Sequence, residues 1–154
     1  MKKVLIASDH AGLDGKEAIK KTLDEMGVEY DDLGTGSLDS VDYPDYAERV
    51  AKGVASGEAD RGILVCGSGI GMAIAANKTP GIRAALAWNE ETAKLARQHN
   101  DANIVAVGSR TIPQETIDQI VRAFLTTDFD GGRHARRIEK IAKLEEENRT
   151  RENT

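Results

Sequence analysis

The middle of the chain contains the stretch most informative about its architecture, which reads Gly62-Ile63-Leu64-Val65-Cys66-Gly67-Ser68-Gly69-Ile70-Gly71. Residues 62–65 form a short apolar run with β-branched side chains, as in a buried central strand. Residues 70–76 are rich in alanine and favour a helix. A strand that enters a helix through a glycine-rich turn is typical of α/β proteins with a parallel sheet.

Strand-like and helix-like segments alternate along the rest of the chain. Besides the central strand, we predict strands at residues 4–8, 28–33, 83–88 and 104–107, with apolar residues at helical spacing between them. Asp31 and Asp32 indicate that the second strand lies at an edge of the sheet. Five strands separated by helices predict an open parallel sheet covered on both faces. The fold class is therefore a three-layer, Rossmann-like α/β sandwich with a C-terminal helix.

The last part of the chain is more polar than the rest. Asp130-Gly131-Gly132 interrupts the chain before a final helix with a narrow apolar stripe, and residues 145–154 contain no apolar side chain. We therefore predict a single domain at residues 1–144 and a solvated, frayed polar tail at residues 145–154.

Length and composition exclude several classes of protein. A chain of 154 residues suits one core, and its net charge of −5 argues against nucleic-acid binding, which normally needs a basic face. No run approaches the roughly 18 apolar residues of a membrane span, and the N-terminus has no signal-peptide pattern, so we expect no membrane partner. A single cysteine cannot form an internal disulfide, which suits a reducing cytoplasm.

The glycine turn after Cys66 has two interpretations. Its backbone N–H groups could converge on a small anion, and the neighbouring thiol could act as a nucleophile or a base. Alternatively, the turn is only a tight connection and the cysteine only a small apolar side chain at the end of a strand. The stretch matches neither the G-x-G-x-x-G fingerprint of dinucleotide sites nor a phosphate-binding P-loop, so we expect no nucleotide cofactor.

Further polar residues stand next to the ends of the predicted strands. Asp9-His10 and Arg110 follow the first and fifth strands, and ligands of open parallel sheets bind at such carboxyl ends. A helix cap is the alternative for Asp9. His99-Asn100 precedes the fifth strand instead, so it should lie at the opposite end and could serve the same site only across a subunit interface. A turn rich in Asn and Asp would also explain this segment.

Arginines open the final helix, where Arg133 and Arg137 share one face. Cations at a helix N-terminus oppose the helix dipole, and an anionic ligand would relieve that cost. Because guanidinium groups pair well with phosphate, we favour a phosphate site over a merely solvated helix face. Three dispersed histidines and one cysteine lack the spacing of a metal site, so no metal is expected.

Several motifs in this order resemble the B-type ribose-5-phosphate isomerases of the ribose/galactose isomerase family, from Met1 to about Leu144. The matching stretches are Ala7-Ser8-Asp9-His10-Ala11-Gly12, Asp42-Tyr43-Pro44-Asp45-Tyr46-Ala47, residues 62–71, Ala75-Ala76-Asn77-Lys78, Gly81-Ile82-Arg83-Ala84, Arg97-Gln98-His99-Asn100, Gly108-Ser109-Arg110 and Gly131-Gly132-Arg133-His134-Ala135-Arg136-Arg137. So many dispersed matches make the resemblance highly specific.

The resemblance implies an aldose–ketose isomerase of the pentose phosphate pathway that interconverts ribose 5-phosphate and ribulose 5-phosphate without metal or cofactor. Cys66 corresponds to the base that moves a proton between C2 and C1, and His99, with Asp9, to the group that opens the furanose ring. The remaining correspondences are the enediolate anion hole at Gly67, Ser68, Gly69, Ile70 and Gly71, the sugar site at Tyr43, Ser68 and Asn100, and the phosphate site at His10, Arg110, Arg133 and Arg137. Ser68 is also counted as catalytic. The family forms homodimers, often paired into tetramers, with sites drawn from two subunits.

The catalytic base, the substrate and the catalytic role itself each have an alternative. Some relatives use a nearby glutamate instead of the cysteine, but Ala75-Ala76 offers no carboxylate here, so the cysteine branch applies. The substrate could be a hexose 6-phosphate, such as allose 6-phosphate or galactose 6-phosphate. Isomerases of galactose 6-phosphate in this family have two unlike subunits, which a complete residue set in one chain argues against. A non-catalytic sugar-phosphate-binding protein would be expected to have lost Cys66 or His99, and both are present.

Overall fold

The secondary structure alternates between strand and helix over residues 3–152, which a computed structural model describes. The described residues form the strands β1 Val4–Ser8, β2 Tyr30–Asp32, β3 Arg61–Cys66, β4 Ala84–Leu86 and β5 Ile104–Gly108. They also form the helices α1 Leu13–Glu25, α2 Tyr43–Ala55, α3 Ile70–Ala76, α4 Glu90–Asn100, α5 Gln114–Thr126 and α6 Arg133–Glu152.

The strands lie in one parallel sheet in the order β2-β1-β3-β5-β4. This arrangement confirms the predicted α/β fold class and the edge position of β2. In the centre of the sheet, Val65 of β3 lies opposite Ser8 of β1, and Cys66 lies opposite Gly108 of β5. The carboxyl ends of these three strands are therefore next to one another.

The sheet is buried between two layers of helices, because alternate side chains of a strand point to opposite faces. Val65 packs in the layer formed with α1, α4 and α5. Leu64 and Cys66 pack in the other layer, with α2 and α3. All of β1 and β5 and nearly all of β3 are buried, which explains why these strands read as continuous apolar runs.

The edges and the end of the chain differ from the predictions. β2 and β4 are shorter than 28–33 and 83–88, because each pairs with a neighbour on one side only. Most of the predicted tail is helical, since α6 continues through Glu152, and residues 153–154 of that tail lie outside the described part of the chain. Glu145 Oε1 accepts a hydrogen bond from the Gly81 backbone N–H at 2.8 Å, which ties this part of the helix to the loop before β4.

Within residues 3–152, no helix has both the length and the apolar composition that a membrane crossing requires.

Candidate active site

Cys66 ends the central strand under the glycine turn, where it is 5% exposed. The Gly69 backbone N–H donates a hydrogen bond to its Sγ atom at 3.1 Å. This close approach requires glycine, because residue 69 has a φ of 79° and a Cβ atom there would lie 2.9 Å from the Val107 carbonyl carbon. The turn therefore aims a backbone donor at the sulfur, where it can stabilise negative charge.

Backbone hydrogen bonds join three loops around this cysteine. The Asp9 N–H donates to the Val65 carbonyl at 3.2 Å, and the Ser109 N–H donates to the Cys66 carbonyl at 2.9 Å. The Arg110 N–H donates to the Gly67 carbonyl at 3.0 Å. The loops after β1, β3 and β5 thus form one connected rim, as expected for a site at the carboxyl ends of parallel strands.

The rim encloses an open cavity of about 500 Å³. Its walls consist of Asp9, His10, Ala11, Tyr43, Cys66, Gly67, Ser68, Ile70, Gly71, Ile74 and Arg110. Most of the residues predicted for the site therefore meet here. Gly69, which was predicted with them, is buried beneath the turn.

Asp9 and His10 both have structural contacts besides their position at the cavity. Asp9 is 7% exposed, and its Oδ1 accepts a hydrogen bond from the Gly12 N–H at 2.9 Å, which closes the turn before α1. His10 Nδ1 accepts a hydrogen bond from the Val41 N–H at 3.1 Å. In its neutral form the His10 ring therefore carries its proton on Nε2.

Tyr43 is the first residue of α2 and is 40% exposed. Its ring lies so close to Gly71 that a Cβ atom at position 71 would overlap the ring carbons. Glycine at position 71 therefore allows the phenol to reach the first turn of α3 beside the cavity.

His99, Asn100, Arg133 and Arg137 are not among the described residues that line this cavity. α4 ends at Asn100, and Ile104 at the start of β5 lies opposite Gly62 rather than Cys66. A five-residue strand such as β5 is roughly 16 Å long, so His99 and Asn100 lie at the other end of the sheet. The start of α6 lies there too, because His134, between Arg133 and Arg137, contacts His99. The sequence-based expectation that His99-Asn100 lies at the opposite end is confirmed. We call the two groups the cysteine half and the histidine half of the predicted site.

The histidine half contains a contact that the sequence did not indicate. The rings of His99 and His134 are stacked, with centroids 4.3 Å apart and planes inclined by 12°. The potential ligand atoms of His99, Asp130 and His134 lie within 4.8 Å of one another, so two of the three histidines are not dispersed as expected. Burial and the positive charges of His99, Arg133 and Arg137 lower the pKa of His134, and Asp130 opposes this shift.

Two arginines without an expected role hold the His99-Asn100 segment in place. Arg83 Nε donates to the Asn100 carbonyl at 2.9 Å, and its Nη2 donates to the Asp101 carbonyl at 2.9 Å. Arg97 is 3% exposed and donates to Asp101 Oδ1 at 2.7 Å and to the Ala102 carbonyl at 2.8 Å. Both arginines stand in motifs quoted above, but their partners are set by tertiary packing.

A family model for the ribose/galactose isomerases matches residues 4–141. The chain belongs to the ribose/galactose isomerase family. It is 48% identical over 146 residues to ribose-5-phosphate isomerase B of Escherichia coli, with 95% of this chain and 98% of that one covered.

Solved structures of the ribose/galactose isomerase family agree with this fold. Ribose-5-phosphate isomerase B of Clostridium thermocellum has a TM-score of 0.93 and 48% identity, over 95% of this chain and 99% of that one. The enzyme of the same name from Mycoplasma genitalium, solved with bound ribulose-5-phosphate, has a TM-score of 0.91 and 45% identity. That comparison covers 94% of this chain and 97% of the other.

Proposed function

We propose that this family member interconverts D-ribose 5-phosphate and D-ribulose 5-phosphate through an enediolate. The observation that carries the proposal is Cys66, which lies in a cavity at the carboxyl end of β3 with a backbone N–H on its sulfur. The relative from Mycoplasma genitalium, solved with bound ribulose-5-phosphate, supports the choice of a pentose phosphate.

The proposed chemistry moves one proton between neighbouring carbons. The Cys66 thiolate removes the C2 proton of the open-chain aldose, and the electron pair of that C–H bond forms the C1–C2 double bond. The carbonyl oxygen at C1 takes up the developing negative charge, which the backbone N–H groups of residues 67–71 stabilise. The C2 hydroxyl proton passes to the C1 oxygen, the C2 oxygen becomes a carbonyl, and the thiol returns its proton to C1, which restores the thiolate. Side chains and backbone donors suffice for these steps, so we propose that no metal or cofactor takes part.

The histidine half supplies the remaining groups. His99, with Asp9, opens the furanose ring before isomerisation, and Asn100 contacts the sugar together with Tyr43 and Ser68. The phosphate lies between His10 and Arg110 of the cysteine half and Arg133 and Arg137 of the histidine half, because guanidinium groups pair bidentately with phosphate oxygens.

The two halves lie at opposite ends of the sheet in one chain, so we propose a homodimer, or a dimer of dimers, with each site shared between two subunits. Apolar side chains are exposed beside both halves. Ile70 and Ile74 are 53% and 58% exposed next to the cysteine half. Leu95 and Ile141 line a second cavity of about 490 Å³ that also includes Asn100. Contact between copies would bury such residues while joining the two halves.

We also propose a cytoplasmic location and a catalytic domain that ends near residue 144. The chain's one cysteine is free and, in the mechanism above, must stay reduced, which suits the cytoplasm. Residues 145–154 are assigned no part in the chemistry.

A coupled assay with ribose 5-phosphate and allose 6-phosphate side by side tests the proposed reaction. We expect kcat/KM to be much higher for ribose 5-phosphate and to fall by orders of magnitude in Cys66→Ala, while the variant still binds the sugar phosphate. Since Cys66 is the only cysteine, iodoacetamide should inactivate the wild type, and substrate should protect it. Activity of Cys66→Ala within a few-fold of the wild type would contradict the assignment of the base, and a preference for allose 6-phosphate would contradict the substrate.

A further inference from the structure

His134 is a conspicuous residue that the proposed mechanism does not use. Its ring covers one face of the His99 imidazole, with centroids 4.3 Å apart and planes inclined by 12°. We propose that His134 is a positioning residue, which fixes the orientation of His99 by stacking and keeps it in register with the arginines of α6. The inference rests on the ring-opening role proposed for His99.

The stack joins two backbone segments that are themselves tied together. The Asp130 N–H donates to the Gln98 carbonyl at 3.1 Å, one residue before His99. Arg97 Nε donates to the Thr127 carbonyl at 3.1 Å. The end of α4 and the segment leading into α6 are thus tied together at two points next to the stack. The two rings meet because their backbones are fixed, and each ring then limits the rotation of the other.

The charges around His134 suit a ring that stays neutral. Arg133 and Arg137 place positive charge near it, as His99 does when protonated, and Asp130 places negative charge near it. Burial is the largest cause that lowers the pKa of His134, and these cations are the next largest, so the ring is uncharged at neutral pH. A neutral aromatic face can cover His99 both as an imidazole and as an imidazolium, because a cation is attracted to an aromatic face. The stack can therefore persist while His99 gives and takes a proton.

A metal site is the alternative use of this cluster, since ligand atoms of His99, Asp130 and His134 lie within 4.8 Å of one another. Two stacked, nearly parallel rings, however, direct their nitrogen lone pairs within separate, nearly parallel planes, so the lone pairs do not converge on one point. A metal ion would need those lone pairs to converge at about 2.0–2.1 Å from each nitrogen, which requires the rings to unstack. The observed geometry therefore favours a stacking role.

His134→Ala and His134→Phe separate stacking from other roles, because phenylalanine keeps a planar ring without a titratable group. With only three histidines in the chain, the ring protons of His99 can be assigned by NMR through His99→Asn. We expect the ring current of residue 134 to shift these signals upfield in the wild type and in His134→Phe, but not in His134→Ala. Turnover of ribose 5-phosphate should fall by about tenfold in His134→Ala and by less than about threefold in His134→Phe.

A double-mutant cycle shows whether His134 acts through His99. Adding His134→Ala to His99→Asn should cause no further loss of turnover, because the residue to be positioned is already gone. Equal losses in the two backgrounds, equal damage by Ala and Phe, or unchanged His99 signals in His134→Ala would each overturn the inference. If His99→Asn itself stays fully active, the ring-opening proposal fails, whereas the NMR comparison still reports on the stack.

Discussion

At the scale of single residues, Gly69 controls the environment of the Cys66 sulfur. Its N–H donates a hydrogen bond to Cys66 Sγ. Residue 69 has a positive φ, and a Cβ atom there would also collide with Leu86 and Val107. Gly27 also has a positive φ, of 68°, but a Cβ atom there would meet nothing within 4 Å. The two positions therefore share the backbone conformation and differ in their surroundings.

We predict that Gly69→Ala lowers the free energy of unfolding by about 1–3 kcal/mol more than Gly27→Ala does, because only the former adds an overpacked contact to the strain of a positive φ. Gly69→Ala should also reduce kcat, since any shift of the turn moves the donor away from the sulfur. Urea denaturation at one fixed protein concentration measures the change in the free energy of unfolding, and initial rates measure the change in kcat. Equal destabilisation by the two substitutions would show that the turn adapts to a methyl group.

At the scale of secondary-structure elements, an ion pair between the buried Lys16 and the partly exposed Asp32 joins α1 to the edge strand β2. The Lys16 side chain is 1% exposed, and its Nζ donates to Asp32 Oδ1 at 2.7 Å and to the Thr35 carbonyl at 2.5 Å. Thr35 in turn donates its N–H to the Ser8 carbonyl at 2.9 Å, next to Asp9. The pair thus supports the loop beside the site. A buried lysine that loses its carboxylate partner is strongly destabilising.

We therefore predict that Asp32→Asn lowers the free energy of unfolding at pH 7 by about 2–4 kcal/mol. The matched control is Asp31→Asn, whose partner Lys3 is more exposed than Lys16, and it should cost less than about 1 kcal/mol. Urea denaturation at fixed protein concentration measures both. A similar loss of stability in the two variants would show that the burial of Lys16 does not make its ion pair with Asp32 more stabilising than the exposed pair.

The pH dependence of this pair follows from the pKa of Asp32. Burial alone would raise it, but hydrogen bonds from Lys16, the Gly34 N–H and Lys20 bring the pKa of the carboxyl below its usual value. Because the folded protein favours the charged carboxylate, Asp32 contributes its full share to the free energy of unfolding above the pKa of the unfolded chain, about 3.9. This contribution is lost as the pH falls through the lower pKa of Asp32 in the folded protein. The difference between the wild type and Asp32→Asn should therefore be full at pH 7 and shrink below about pH 4.

α6 offers its own control for the proposed phosphate site, because Arg133, Arg136 and Arg137 are all exposed near its start. We predict that Arg133→Ala and Arg137→Ala each weaken the binding of phosphorylated ligands by about 1.5–3 kcal/mol, the value of a charge-assisted contact. Arg136→Ala should have little effect. Inhibition constants of a phosphorylated sugar acid measure this, and binding of unphosphorylated ribose should not distinguish the variants. Equal effects of all three substitutions would indicate a diffuse charge effect instead of a built site.

Comparison of the elements shows what a sequence can reveal. β1, β3 and β5 are predictable because burial on both faces makes them continuous apolar runs. The helical end of α6 was not predicted, since it contains no apolar residues, and local contacts such as that between Arg149 and Glu146 at 3.4 Å support it instead. The cysteine half follows from the rule that ligands bind at the carboxyl ends of parallel strands. The stack of His99 on His134 depends on how α4 and α6 pack together, and this packing cannot be predicted from a local sequence pattern.

At the scale of the whole molecule, the proposed sharing of each site between two subunits predicts complementation between inactive variants. Cys66→Ala damages only the cysteine half, and His99→Asn damages only the histidine half. In a mixed dimer, one site combines both defects and the other combines neither. Random reassociation of equal amounts should therefore restore roughly a quarter of the wild-type activity.

The measurement is the initial rate after the two variants are unfolded together and refolded, compared with the same variants refolded separately and then mixed. Self-association of each variant can be followed by sedimentation. Recovery no greater than that of the separate samples, with mixed dimers present, would mean that each chain builds its site alone.

If each site is shared between subunits as proposed, the placement of its two halves at opposite ends of β5 also bears on how such an enzyme can diverge after gene duplication. Two sister chains that pair with each other could each lose a different half and still retain one working site between them. Mutations that are lethal in a single gene become neutral in such a pair, and afterwards neither chain works without the other. A sheet that separates the halves by the length of one strand thus makes obligate partnership between unlike chains easy to reach.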